Sequence, residues 1–203
     1  MNSLKIILIF LFLISCNKQE KNFLEKKKIN IQNFKKNWKG GGAFFLMADG
    51  TKIEQYENDD GYNEIINKSA PEFISEYNTY YKNGNLKSSV INFKGIPIHT
   101  SIEYNSTGDL ISEKNEDKKF GKIKYTDILK ILSEEKYLNL ITGKGWSLEN
   151  GNDAINIRFD ELKKIWKVSI TSGKSGAGGK TGSALIYDHI FYIDGETGKI
   201  VGE

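Results

Sequence analysis

One motif occurs twice at a fixed spacing, and it sets what the middle of this chain can become. Tyr80-Tyr81-Lys82-Asn83-Gly84-Asn85-Leu86-Lys87 aligns with Tyr104-Asn105-Ser106-Thr107-Gly108-Asp109-Leu110-Ile111 at an offset of 24 residues, with tyrosine, glycine and leucine coinciding. A period in the twenties means one supersecondary unit used more than once. The unit that fits is a β-hairpin. Gly84 or Gly108 takes the positive-φ turn position, and the tyrosine and leucine pack on one face of the sheet. Between the two turns, residues 88–103 supply an outgoing strand, a connection containing Gly95 and Pro97, and the next incoming strand.

This pattern of tyrosine, turn residues, glycine and an aliphatic residue resembles the MORN-variant repeats of bacterial exported proteins. Two copies are clear over about 80–112, and Phe45 to Ile53 is a degraded third. The family label is chiefly structural, although some members are antitoxin or immunity components. The flanking sequence agrees with hairpins. Phe44-Phe45-Leu46-Met47 meets Ala48-Asp49-Gly50, and Thr51 to Tyr56 returns. Glu57-Asn58-Asp59-Asp60-Gly61 reads as another turn. As a calcium loop it fails, because Gly61 at the sixth position puts Tyr56 first and Asn67 where a bidentate glutamate belongs. A β-hairpin repeat region is therefore expected over 43–113.

The charged run 114–119 reads as a linker between two domains. After it, Thr126 is positioned to cap a helix whose buried stripe is Ile128, Leu129, Ile131 and Leu132. Ile155, Ile157 and Phe159 then alternate with polar residues, as do Trp166, Val168 and Ile170. A last hairpin, Phe191-Tyr192-Ile193-Asp194-Gly195-Glu196-Thr197-Gly198-Lys199-Ile200-Val201, turns at Asp194 and Gly198. With the helix and the Trp166 strand, this ending resembles a PepSY-like domain over 120–203, departing from it in a glycine-rich insertion and an irregular 137–153 stretch. The resemblance implies a non-catalytic binding or inhibitory role. The insertion, Gly173 to Thr181, imitates a phosphate loop, but Gly173 lies one residue too far from Gly179-Lys180-Thr181, and a strand-like sequence follows where a helix is needed. It is read as a hairpin loop, with no nucleotide.

At the N-terminus Lys5 precedes the apolar run Ile6 to Ile14, and Ser15-Cys16 follows. A run this short cannot cross a bilayer core, which needs about 20 residues, and it fits the apolar region of a secretory signal. Leu13-Ile14-Ser15-Cys16 resembles the lipobox of bacterial lipoproteins. The resemblance implies a signal peptide at 1–15 and a mature chain anchored through lipid on Cys16. It places the protein in the cell envelope, with the outer membrane favoured and the folded part facing periplasm or exterior. Residues 16–42, rich in lysine and closed by Gly40-Gly41-Gly42, are expected to form a tether, with Phe23, Leu24, Ile29, Ile31 and Phe34 as a hint that its later part docks or forms a short amphipathic segment.

Composition narrows the function classes. Cys16 is the only cysteine, so no disulfide or cysteine-based metal site is available. Twenty-nine basic residues nearly balance twenty-six acidic ones, and all but Arg158 are lysine, which argues against a nucleic-acid partner. His99 and His189 are the two histidines, too few for a metal cage, and no nucleophile motif is present. The reading is an α+β protein, antiparallel β-hairpin repeats followed by a small helix-plus-antiparallel-sheet domain. It serves as a lipid-anchored binding module without catalytic residues, metal or cofactor, for a protein or cell-envelope partner. The alternative is an inhibitor or immunity protein that blocks an exported hydrolase or toxin.

Overall fold

The computed structural model describes residues 28–173, 175–176 and 184–202. It is a mixed, mainly antiparallel β structure with few helices. The larger sheet has seven strands in sequence order: β1 (Ala43–Leu46), β2 (Lys52–Asn58), β3 (Gly61–Asn67), β4 (Ser75–Tyr81), β5 (Leu86–Phe93), β6 (Ile96–Tyr104) and β7 (Leu110–Asn115).

The duplicated motifs form equivalent hairpins. The Tyr81 amide donates to the Asn85 carbonyl at 2.9 Å and Gly84 donates back to Tyr81 at 2.8 Å; Asn105, Asp109 and Gly108 repeat this at 2.9 and 3.0 Å. Gly84 and Gly108 have φ of +84° and +87°. Tyr80 faces Leu86 and Tyr104 faces Leu110 across their turns, each beside a register shift. Met47, Gly50 and Thr51 make the same turn bonds, so the degraded copy keeps the turn and loses the tyrosine. The copies differ in burial. Tyr80 and Leu86 are buried, whereas Leu110 is exposed because β7 is an edge strand.

Residues 28–42 are docked on the sheet, in line with the apolar hint at Ile29, Ile31 and Phe34, and are no free tether. Lys28 pairs with Asn85, and the Ile29 amide donates to the Gly84 carbonyl at 3.1 Å. A short helix, α1 (Ile31–Lys36), follows, with Asn30 Oδ1 accepting the Asn33 amide at 2.9 Å as an N-cap. Phe34 lies edge-on against Tyr62 and Trp38, with centroids 5.3 and 5.2 Å away. Ile29, Phe34, Ala43, Tyr62, Tyr80 and Leu86 form one buried cluster, so apolar side chains spaced among the lysines dock this segment on the sheet. The glycine run makes the turn into β1 rather than a boundary, with Lys39 paired to Gly42.

The segment 114–119 is likewise no free linker. Lys114 and Asn115 end β7, and Glu116–Lys119 form a 3-10 turn. Glu116 is buried, accepting from Lys114 at 2.9 Å, Ser101 at 3.1 Å and Lys119 at 3.4 Å. Helix α2 (Tyr125–Glu134) starts one residue before Thr126. Its first turn is closed by Asp127, whose Oδ2 accepts the Lys124 amide at 2.8 Å. Thr126 is therefore inside the helix and not its cap.

The smaller sheet has the order β13-β12-β9-β8, from β8 (Ile155–Asp160), β9 (Ile165–Ile170), β12 (His189–Asp194) and β13 (Ile200–Gly202). Between β9 and β12, β10 (Ser175–Gly176) pairs with β11 (Ala184–Leu185). The rest of the glycine-rich loop, 174 and 177–183, lies outside the described residues. Trp166 is fully buried and stacks on Phe120 at 4.9 Å. Ile128, Leu129 and Leu132 of α2 share one cluster with Ile155, Ile157, Val168, Phe191 and Ile193, and also with Phe73, Ile74, Phe93 and Ile98 of the first half. A single core thus crosses the expected domain boundary.

Candidate functional site

The turn residues singled out in the sequence sit at the ends of hairpins. The Gly84 and Gly108 turns lie side by side, joined by Asn83 and Asn85, which donate to the Ser106 carbonyl at 3.0 and 2.8 Å. In the last hairpin, Asp194 Oδ1 accepts from Thr197 Oγ1 and the Thr197 amide, both at 2.8 Å, and from the Glu196 amide at 3.1 Å. The Thr197 hydroxyl, then its amide, holds the Asp194 carboxyl below its usual range. Gly198 has φ of +72° and donates to the Asp194 carbonyl. These residues shape turns in two different sheets and do not converge on one site. Cys16 lies outside the described residues.

The histidines are also apart. His99 Nδ1 lies 3.4 Å from Asp117, with its ring edge-on to Tyr125, and His189 lies beside Tyr137 at 5.5 Å. Beneath the large sheet, buried Glu64 accepts from Gln55 at 2.7 Å, Tyr80 at 2.8 Å and Asn78 at 3.1 Å. Burial, then the Glu64 charge, raises the Tyr80 hydroxyl pKa. This bracket ties β2, β3 and β4 together. Among the described residues, no group of three or more His, Cys, Asp or Glu is arranged to hold a metal, and no helix is long and apolar enough to cross a membrane.

The groups that do converge come from residues that carry no local motif. Phe93 and Ile96 pair around a two-residue turn, Lys94-Gly95, with φ of +51° and +80°. That turn aims Lys94 away from its own sheet toward the segment before β8. Its side chain is only 9% exposed, yet Nζ makes an ion pair with Asp153 at 2.5 Å. The same ammonium lies 4.1 Å from the Trp146 ring centroid. Trp146 is in turn packed against Phe73 at 4.5 Å and Phe93 at 5.9 Å. Ser147 pairs with Asp153, and Ala154 donates to the Trp146 carbonyl, so the tryptophan and the aspartate are fixed relative to each other. Burial pushes the Lys94 pKa down, partly offset by the Asp153 hydrogen bond and charge.

These groups line a cavity of about 330 Å³ where the two sheets meet, with Asn67, Ser75 and Tyr77 on one wall and Asn156 on the other. Ser75 Oγ donates to Asn67 Oδ1 at 2.6 Å. Tyr77, 43% exposed, stands at the lip and belongs to a row across the large sheet: Phe44, Glu54, Ile65, Tyr77, Val90. Phe44 in that row is 57% exposed, and Leu46 beyond it 73%. The outer face of the large sheet thus exposes Phe44, Leu46 and Tyr77 among polar side chains, with Glu54 between Phe44 and Ile65, and Tyr77 lines the polar cleft. A partly buried titratable group in a cleft, with its pKa displaced by burial and a specific partner, marks a candidate binding site. Sequence reading passed over Lys94, Trp146 and Asp153, because 59 residues separate the ends of the ion pair and each end reads locally as a turn. No family model, curated protein or solved structure matches this chain.

Proposed function

We propose that this protein is an exported lipoprotein, held to a bacterial membrane by lipid on Cys16 and working as a non-catalytic binding module for a protein or cell-envelope partner. The repeat hairpins are read as MORN-variant-like and the helix with the small sheet as PepSY-like. What carries the binding role is the outer face of the large sheet, where Phe44 and Leu46 stand exposed on β1 and Tyr77 stands exposed on β4 at the cleft. Exposed aromatic side chains are enriched at interaction sites. The anchor rests on the order of charge, apolar run, Ser15 and Cys16 in the sequence.

Two measurements test the reading. Metabolic labelling with a fatty-acid probe is expected to mark the wild type and not Cys16→Ser; equal labelling removes the anchor. A photo-crosslinking amino acid in place of Phe44, in cells, is expected to give a discrete adduct that Leu46→Ser weakens. The same probe in place of Leu162, 97% exposed on the β8–β9 turn, is the control. Equal adducts from both positions would remove the sheet face from the account.

A further inference from the structure

The Lys94 ammonium has three N–H donors and no acceptor capacity. Asp153 accepts one hydrogen bond and the Trp146 ring faces the charge, so donor capacity is left over on a side chain that is nine-tenths buried. A buried donor of this kind is costly to leave unmade, and hydrogen bonds to charged groups are the stronger ones. The site's charges cancel. Lys94 is matched by Asp153, and Lys68, on the cavity wall, by Glu72 at 2.7 Å. A net ionic ligand would therefore find no excess of opposite charge, whereas a neutral ligand rich in oxygen acceptors and hydroxyl donors would be matched. The remaining polar walls, Asn67, Ser75 and Asn156, are amides and a hydroxyl, groups that both donate and accept. Tyr77 at the lip offers an apolar ring face beside them. At about 330 Å³ the cavity is at the small end of ligand pockets.

From these features we infer that the cleft between the sheets binds a neutral saccharide, one or two sugar rings of an envelope glycan. Lys94 Nζ donates to a sugar oxygen, the amide and hydroxyl walls exchange hydrogen bonds with its hydroxyls, and the C–H face of a ring lies against Tyr77. Asp153, its side chain 61% exposed, pairs with the Lys94 ammonium and fixes its position on the cleft wall. The inference deepens the binding-module reading and rests on it for the source of the glycan.

The test uses the full lipoprotein in lipid nanodiscs, with N,N′-diacetylchitobiose, cellobiose and maltose as probes and trialanine and methyl phosphate as controls, followed by saturation-transfer NMR. At least one disaccharide is expected to bind, and Lys94→Met and Tyr77→Ala are each expected to weaken it by about tenfold, with Leu162→Ala unchanged. If Lys94→Met does not fold, Tyr77→Ala at the exposed lip decides the matter, with Asn156→Ala as its companion. No transfer to any disaccharide at ~10 mM, binding that ignores the cleft variants, or binding of trialanine or methyl phosphate in place of the sugars overturns the assignment. Fatty-acid labelling and the Phe44 crosslink read the anchor and the sheet face independently. A failure here that leaves those two intact therefore removes the sugar alone.

Discussion

Among the described residues, Lys94 and Glu116 are two of the charged side chains held out of solvent, for different ends. Lys94 keeps spare donor capacity at a cleft. Glu116, 6% exposed, has its carboxylate met by three donors, Ser101, Lys114 and Lys119. Its burial would raise the carboxyl pKa, but the bonds from Lys114 and Ser101 and the Lys119 charge outweigh that and set it below the usual value of 4.5. A depressed folded-state value means the ionised form favours the fold. The contribution is in place above 4.5 and is lost as pH falls through the lower folded-state value. Glu116→Gln is expected to cost about 2 kcal/mol at neutral pH. The gap between wild type and variant should close on acidification below the ordinary carboxyl value. Urea midpoints measured across that range check it, and a gap that stays constant would contradict the assignment. Neither lysine nor glutamate announces its role in sequence. Lys94 reads as a turn residue and Glu116 as part of a charged run, because what distinguishes them is a neighbour brought in by the fold.

At the scale of elements, the hairpins were the legible part. Asp49-Gly50, Asn83-Gly84 and Thr107-Gly108 signal their turns locally, since a glycine at positive φ is a requirement of the turn itself. The alternation around Trp166 and Phe191 and the stripe of α2 were legible for the same reason: periodicity is a local property. Helix α1 was legible only as the apolar hint of Ile29, Ile31 and Phe34 among lysines, because six residues are too few to make a helix stable alone. It exists where Phe34 reaches Tyr62 and Ile29 reaches the Gly84 turn, and lysines dominate the composition around them. Phe34→Ala is accordingly expected to destabilise the protein by about 3 to 4 kcal/mol. It should also make 28–42 the first site of cleavage in limited proteolysis. Unchanged cleavage order in that variant would mean that Phe34 does not hold the segment down.

For the whole molecule, the boundary expected at 114–119 fails for a physical reason: a charged surface run says nothing about what lies beneath it. Ile98 on the large sheet and Ile128 on α2 are both fully buried in the same cluster, so the halves complete one another. Ile98→Ala is expected to cost about 3 kcal/mol and to lower the unfolding midpoint seen by far-ultraviolet circular dichroism and by tryptophan fluorescence equally. Separated midpoints would restore two independent units. The sequential order of the seven strands bears on how such a chain reaches this state. Each strand of the large sheet pairs with its neighbour in the chain, so only short loops have to close, and the entropy of each closure is small. The small sheet requires β9 to wait for β12 across the excursion through β10 and β11. Chain connectivity therefore favours a large sheet that assembles strand by strand, with the closing of β9 on β12 as the step that searches longest.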